Sequence, residues 1–217
     1  MDSSASTEAV AINHMHIVDG ALSDSVVIGG AVLAIAGVAY GLKRMDLDRI
    51  PQMGILSASF FVASLIHVPV GVSSLHLILN GLIGLALGWA AFPALFVALL
   101  LQAIFFGYGG LIVLGVNTVN IALPAVIVWL LFNKPMVASP PKQAAILGGL
   151  AGALSIALTA IMVSLSIGLS GKEFITAAKL ALLSHLPIML VEAFVTAAAV
   201  MLLSRVKPEF FDAARHS

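Results

Sequence analysis

Apolar runs of roughly twenty residues recur along this chain, separated by short polar or basic clusters, and that is the length a helix needs to cross the hydrocarbon core of a bilayer. Seven such runs are found, at 24–42, 53–68, 75–91, 93–112, 117–133, 143–169 and 178–204. The second and third are short, and the turns between residues 90 and 93 and between 112 and 117 are tight. Some helix ends are therefore expected to be irregular or to stop below the membrane surface. Only helices or closed barrels satisfy every backbone group in lipid, and long unbroken apolar runs select helices. The expected fold is an all-α integral membrane protein with about seven transmembrane helices.

Composition strengthens this reading. The 217 residues are 61% hydrophobic and only 9% charged, with a mean hydropathy of +1.14. Soluble domains carry about 25% charged residues, so this chain has too little polar surface to cover a water-soluble core. Formal net charge is zero, which offers no basic field for nucleic acid. Cysteine is absent, which excludes disulfides, thiolate metal sites and cysteine nucleophiles. Residues 1–14 are small and polar, lack the basic and apolar regions of a secretory signal, and read as a leader, a tag or a miscalled start. Residues 15–207 are then expected to form a single transmembrane domain, with 208–217 a tail.

With seven spans the loops alternate sides. One side receives Lys43, Arg44, Arg49, Lys134, Lys142, Arg205, Lys207 and Arg215, the other only Lys172 and Lys179. The positive-inside bias places the first side in the cytoplasm, with the N-terminus outside and the C-terminus inside. Small residues recur at four-residue spacing: Ala144, Gly148 and Gly152; Ala145, Gly149, Ala153 and Ala157; Gly84 and Gly88; Gly30 and Ala34; Gly37 and Gly41. Such rows let helices approach closely. They serve packing within the bundle, or dock a partner membrane subunit, in which case Gly30, Ala34, Ala144, Gly148 and Gly152 are the candidate contacts.

This topology gathers the polar chemistry on one side. His14, His16, His67, His76 and His185 all fall on the outer face, and only His216 lies inside. Asp19, the glycine-rich segment 107–117, Asn117, Asn120 and Gln102 share that side, and Glu192 lies two turns after His185 on the same helical face. A carboxylate within a membrane span is a functional candidate by default, or else a buried hydrogen-bonding anchor. A chain beginning at Met15 would offer three nitrogens from Met15-His16: the free amine, the His16 amide nitrogen and its imidazole. Amine and amide close a five-membered chelate ring, amide and Nδ1 a six-membered one, and one further histidine completes a square-planar set of the kind that favours Cu(II) or Ni(II) and accepts Co(II). Magnesium and calcium prefer oxygen ligands, and zinc a tetrahedron. If residues 1–14 stay attached the amine is lost, and His14 becomes a substitute imidazole.

At this point the sequence resembles the CbiM/NikM proteins, the substrate-specific components of energy-coupling-factor cobalt and nickel ABC transporters. MHIVDG at 15–20, HVPVGVSSLHLILNGLIGLALG at 67–88, LLQAIFFGYGGLIVLGVNTVN at 100–120 and HLPIMLVEAFVTA at 185–197 are similar to four segments of that family, in the same order. The chain departs from the pattern in its 14 extra residues, in a slightly shorter segment before His76, and in His67, where relatives often carry Asn or Lys. The resemblance implies six bundle helices plus one added N-terminal helix, in a multi-pass cell (inner) membrane protein tied to cobalamin biosynthesis. It implies metal ligands from Met15, His16 and His76, with Asn117 and Asn120 supporting the loop. His67, Asp19, Gln102, His185 and Glu192 remain further candidates for supporting or gating roles. It also implies a transmembrane coupling subunit, cytoplasmic ATPase subunits and a small accessory membrane subunit as partners. No Walker A sequence is present, so energy must come from those partners. There is no permanent cofactor in this reading; Co(II) or Ni(II) is cargo. A membrane-embedded metalloenzyme and a vitamin-specific component of the same architecture are the alternatives.

Overall fold

The structure, a computed structural model, describes residues 17–70 and 73–211. Among them the chain forms α1 (Asp24–Lys43), α2 (Ile50–Ala63), a hairpin of β1 (His67–Val70) and β2 (Ser73–His76), then α3 (Asn80–Leu87), α4 (Ala91–Phe106), α5 (Leu114–Val137), α6 (Pro141–Ser170) and α7 (Ile175–Val206). The strands pair antiparallel, with His67 opposite His76 and Val70 opposite Ser73. Five apolar stretches are long enough to cross a membrane: α1, the run Asn80–Phe106, α5, α6 and α7.

Three boundaries differ from expectation, each for a physical reason. The expected span 75–91 is a strand end, a short irregular piece and the eight-residue α3. An apolar run of β-branched and leucine residues does not distinguish strand from helix by periodicity once both faces are buried. The expected span 93–112 ends at Phe106, because Gly107 adopts a left-handed cap at φ +65°; the apolar residues beyond it are loop. The expected span 53–68 ends at Ala63 and gives way to β1. One short hairpin interrupts an otherwise helical chain.

Residues 80–106 read as one apolar stretch, yet the chain reverses within it. Asn80 donates to the Ile121 carbonyl and Asn133 donates to the Leu85 carbonyl, so α3 runs alongside α5 in the same direction. Phe92 and Trp89 lie against Gly37 and Gly41 of α1, whereas Gly30 of α1 lies against Val116 at the start of α5. Helix α4 therefore runs back, antiparallel to α1. The reversal is made at Gly88, whose φ of +55° is a conformation that side chains resist.

The bundle thus has two ends. One carries the segment from Ile17, the hairpin, the loop after α4 and the α6–α7 turn; it is called the hairpin end here. The opposite, tail end carries the α1–α2 turn, Gly88–Ala90 and the chain terminus. The α3–α4 stretch is largely buried and central, while most of α1 and α7 is not. Their outward leucines, isoleucines and Phe194 form the apolar exterior that lipid requires.

Close packing explains the small-residue rows. A Cβ at Gly30 would strike Val116, at Gly84 the Ala125 carbonyl, at Gly148 Val200, and at Gly152 the Thr196 hydroxyl and the Glu192 carbonyl. Gly30, Ala34, Ala144, Gly148 and Gly152 are all buried within this chain. At these positions the rows pack this chain's own helices against one another. The last described residues are folded against the bundle. Pro208–Phe210 forms a short turn and Phe211 is buried, its carbonyl accepting from Asn133 at 3.1 Å. Gln52 of α2 donates to the Phe210 carbonyl at 2.9 Å. The folded domain thus extends past residue 207.

Candidate metal centre

The hairpin end is held together by single side chains that bond to loop backbone. Asp19 does this for the loop after α4. Its Oδ1 accepts from the Ile112 and Val113 amides at 3.0 and 3.1 Å, and its own amide donates to the Gly109 carbonyl at 3.3 Å. The Asp19 carboxyl occupies the space that a side chain at Gly110 would need. Asn117 of α5 donates from Nδ2 to the Ile17 carbonyl at 3.0 Å. Ile17 is itself buried in a second apolar cluster with Val113, Val116, Val163, Ile167 and Ala177.

His76 ends β2 and is 3% exposed. Its Nδ1 lies 2.9 Å from the Leu77 carbonyl. A carbonyl only accepts, so Nδ1 carries the proton and the ring lone pair sits on Nε2. A metal-ligating histidine is oriented in this way by its other ring nitrogen. The irregular piece that follows is fixed from α7: Glu192 Oε1 accepts from the amides of Ile78 and Leu79, the latter at 2.9 Å. Asn80, at the start of α3, donates to the Ile121 carbonyl at 3.1 Å and to the Thr159 hydroxyl at 3.0 Å.

Two chain segments are thus pinned to one short stretch of α5. Ile17, bonded covalently to His16, hangs on Asn117; Asn80, which follows His76 closely, hangs on Ile121. One helical turn, about 6 Å of rise, separates the two anchors. Of the other candidates, Asn120 accepts from Ser166 through Oδ1 at 3.2 Å and ties α5 to α6. His185 donates from Nδ1 to the Ala181 carbonyl at 2.6 Å within α7, which leaves its buried Nε2 without a partner among the described residues. Gln102 is fully buried in α4, and neither end of its amide has a partner among the described residues. The backbone of His67 faces His76 across the hairpin.

Met15, His16 and His14 lie outside the described residues, as do residues 1–14 as a whole, His216 and Arg215. Among the described residues, no three His, Asp or Glu side chains converge as a metal site. Asn80 and Thr159 escaped the sequence reading, although an Asn-Gly pair inside an otherwise unbroken apolar run was a visible signal. Asn133, which ties α5 to both α3 and the chain terminus, was equally visible as an amide in an apolar span.

The architecture matches known proteins over nearly its whole length. The family described as "Cobalt uptake substrate-specific transmembrane region" covers residues 16–210. The chain belongs to the CbiM family. A "Putative metal transport protein" of Haemophilus influenzae is 42% identical over 200 residues, covering 91% of this chain and 97% of that protein. The "Fused nickel transport protein NikMN" of Rhodobacter capsulatus is 32% identical, covering 90% of this chain and 63% of the fused one. A crystal structure of a transition metal transporter superposes with a TM-score of 0.76 at 26% identity, over 88% of this chain and 93% of the other. Membership makes this CbiM-family chain a multi-pass membrane protein of cobalt and nickel transport.

Proposed function

We propose that this chain is the substrate-specific subunit of an energy-coupling-factor transporter, binding Ni(II) or Co(II) at its hairpin end from outside the cell and passing it inward. The ligands are the Met15 amine, the His16 amide and imidazole nitrogens, and the His76 imidazole through Nε2. The observation that carries the reading is the shared anchorage on α5: the residue after His16 and the segment after His76 are hung one turn apart, at Asn117 and Ile121. Asp19, Asn117 and Glu192 supply the outer shell that holds the two ligand-bearing segments.

Orientation follows from charge. Lys43, Arg44, Arg49, Lys134, Lys142, Arg205 and Lys207 lie at or next to the tail end, and Lys172 and Lys179 near the hairpin end. The positive-inside rule sets the tail end in the cytoplasm. The path then crosses seven times. Helix α2, at 14 residues, spans about 21 Å, and the third crossing is the composite of residues 77–79 and α3. With no Walker A sequence, the chain depends on a transmembrane coupling subunit and cytoplasmic ATPase subunits, with a small accessory membrane subunit alongside.

The test is a calorimetric titration of the purified chain with Ni(II), Co(II) and a panel of vitamins, combined with mass spectrometry of the native N-terminus. Metal binding is expected, and it is lost in His16→Ala and in His76→Ala while the thermal melt is kept. A protein whose native amine is not that of Met15, or that binds metal undiminished without His16 and His76, would overturn these ligand assignments.

A further inference from the structure

The strongest unexplained feature lies below the proposed site. Glu192 sits in α7, is fully buried, and spends one oxygen on two consecutive backbone amides of another segment. Its other oxygen, Oε2, has no partner among the described residues. A carboxylate in an apolar bundle is expensive, and packing alone would be met more easily by leucine. The residues it grips are also unusual. Among the described residues, Leu79 is the one non-glycine with a positive φ, at +56°, a conformation that branched side chains avoid. Leu79 is the residue from which α3 starts, and its carbonyl accepts the Ile83 amide at 2.9 Å. The bond to both amides adds a hold on this turn from a separate helix, α7.

We infer that Glu192 is a positioning residue for the metal site: by holding the Ile78 and Leu79 amides it fixes the left-handed turn that sets His76 at its coordinating depth. This rests on the assignment of His76 as a ligand. The mechanical chain is short. Leu77 alone separates His76 from the gripped amides, and its carbonyl orients the His76 ring. On the other side, the Glu192 backbone lies against Gly152 of α6, where no side chain fits. The backbone that carries the grip is therefore packed closely against a second helix.

Two substitutions separate reach from charge. Glu192→Asp keeps the carboxylate but withdraws it by one methylene, which breaks the grip. Glu192→Gln keeps the reach and one acceptor oxygen. Both are titrated with Ni(II), beside His76→Ala, and their melting temperatures are measured. The expected result is that Glu192→Asp weakens Ni(II) binding about tenfold or more, the scale of losing an outer-shell partner, and that Glu192→Gln recovers most of that loss. Amide hydrogen exchange at residues 77–80 should accelerate in Glu192→Asp and slow again in Glu192→Gln. Wild-type affinity in Glu192→Asp overturns the proposal. So does equal weakening in both variants, which would make charge rather than reach the cause. An affinity loss that appears only in step with a lower melting temperature gives Glu192 a purely structural role and also overturns it. His76→Ala reports separately: undiminished Ni(II) binding in that variant removes His76 as a ligand, whatever the Glu192 variants do.

Discussion

The two ends of this bundle are joined by different kinds of contact. At the hairpin end, loops are held by directional bonds from single side chains: Asp19 to the Ile112 and Val113 amides, Asn117 to the Ile17 carbonyl, Glu192 to Ile78 and Leu79. At the tail end and along the middle, helices meet backbone to backbone where glycine allows it, as at Gly84 against Ala125 and Gly41 against Trp89, and two amide side chains, Gln52 and Asn133, fasten the last described turn. There the chain terminus adds a buried aromatic, Phe211. The first kind of contact can be broken one bond at a time. The second is lost only by separating whole helices. On the proposed reading metal is captured at the hairpin end, where the loops hang on single bonds.

The comparison can be broken from either side. Gly84→Leu should have the largest effect: its side chain would have to occupy the space of the Ala125 backbone, and overpacking on this scale has no rotamer solution. The expected outcome is no folded protein by size-exclusion chromatography in detergent. Phe211→Ala should lower stability by about 3–5 kcal/mol, the cost of emptying a buried aromatic site, while Ni(II) affinity is kept; thermal melting and titration check the two halves of that statement. Asp19→Ala should show the reverse. It removes an acceptor shared by two amides, so Ni(II) affinity should fall about tenfold or more with a melting temperature close to that of the parent. Asn117→Ala should be the mildest. It deletes one neutral bond, worth about 1 kcal/mol, and affinity should fall about fivefold. If Asp19→Ala lowered the melting temperature more than Phe211→Ala, the division between the two ends would not hold.

Much of the fold was legible in the residues. Helices α1, α5, α6 and α7 lie within a few residues of the apolar runs that announced them, because a membrane span is written in length and hydropathy. The hairpin and the half-length α3 were not legible. Apolar residues on both faces erase the periodicity that separates strand from helix, and the segment after Gly107 stays apolar although it is loop. The site was legible in part. His76, Asp19, Asn117 and Glu192 stood out as polar residues in an apolar chain. What each one touches did not, because their partners are main-chain groups, which carry no signature of their own. The Glu192 bond to Ile78 spans 114 positions of sequence, and only the folded chain joins them. The small-residue rows were legible as contact surfaces but not as to whose surface they meet.

The break ahead of α3 changes what this stretch can do mechanically. A continuous helix in a bilayer behaves as a rod and can only tilt or slide. Residues 77–79 leave a joint partway down, above a half-rod that lies wholly in the interior. Glu192 clamps that joint through the Ile78 and Leu79 amides, so the strand end above it keeps a fixed height over the half-rod below.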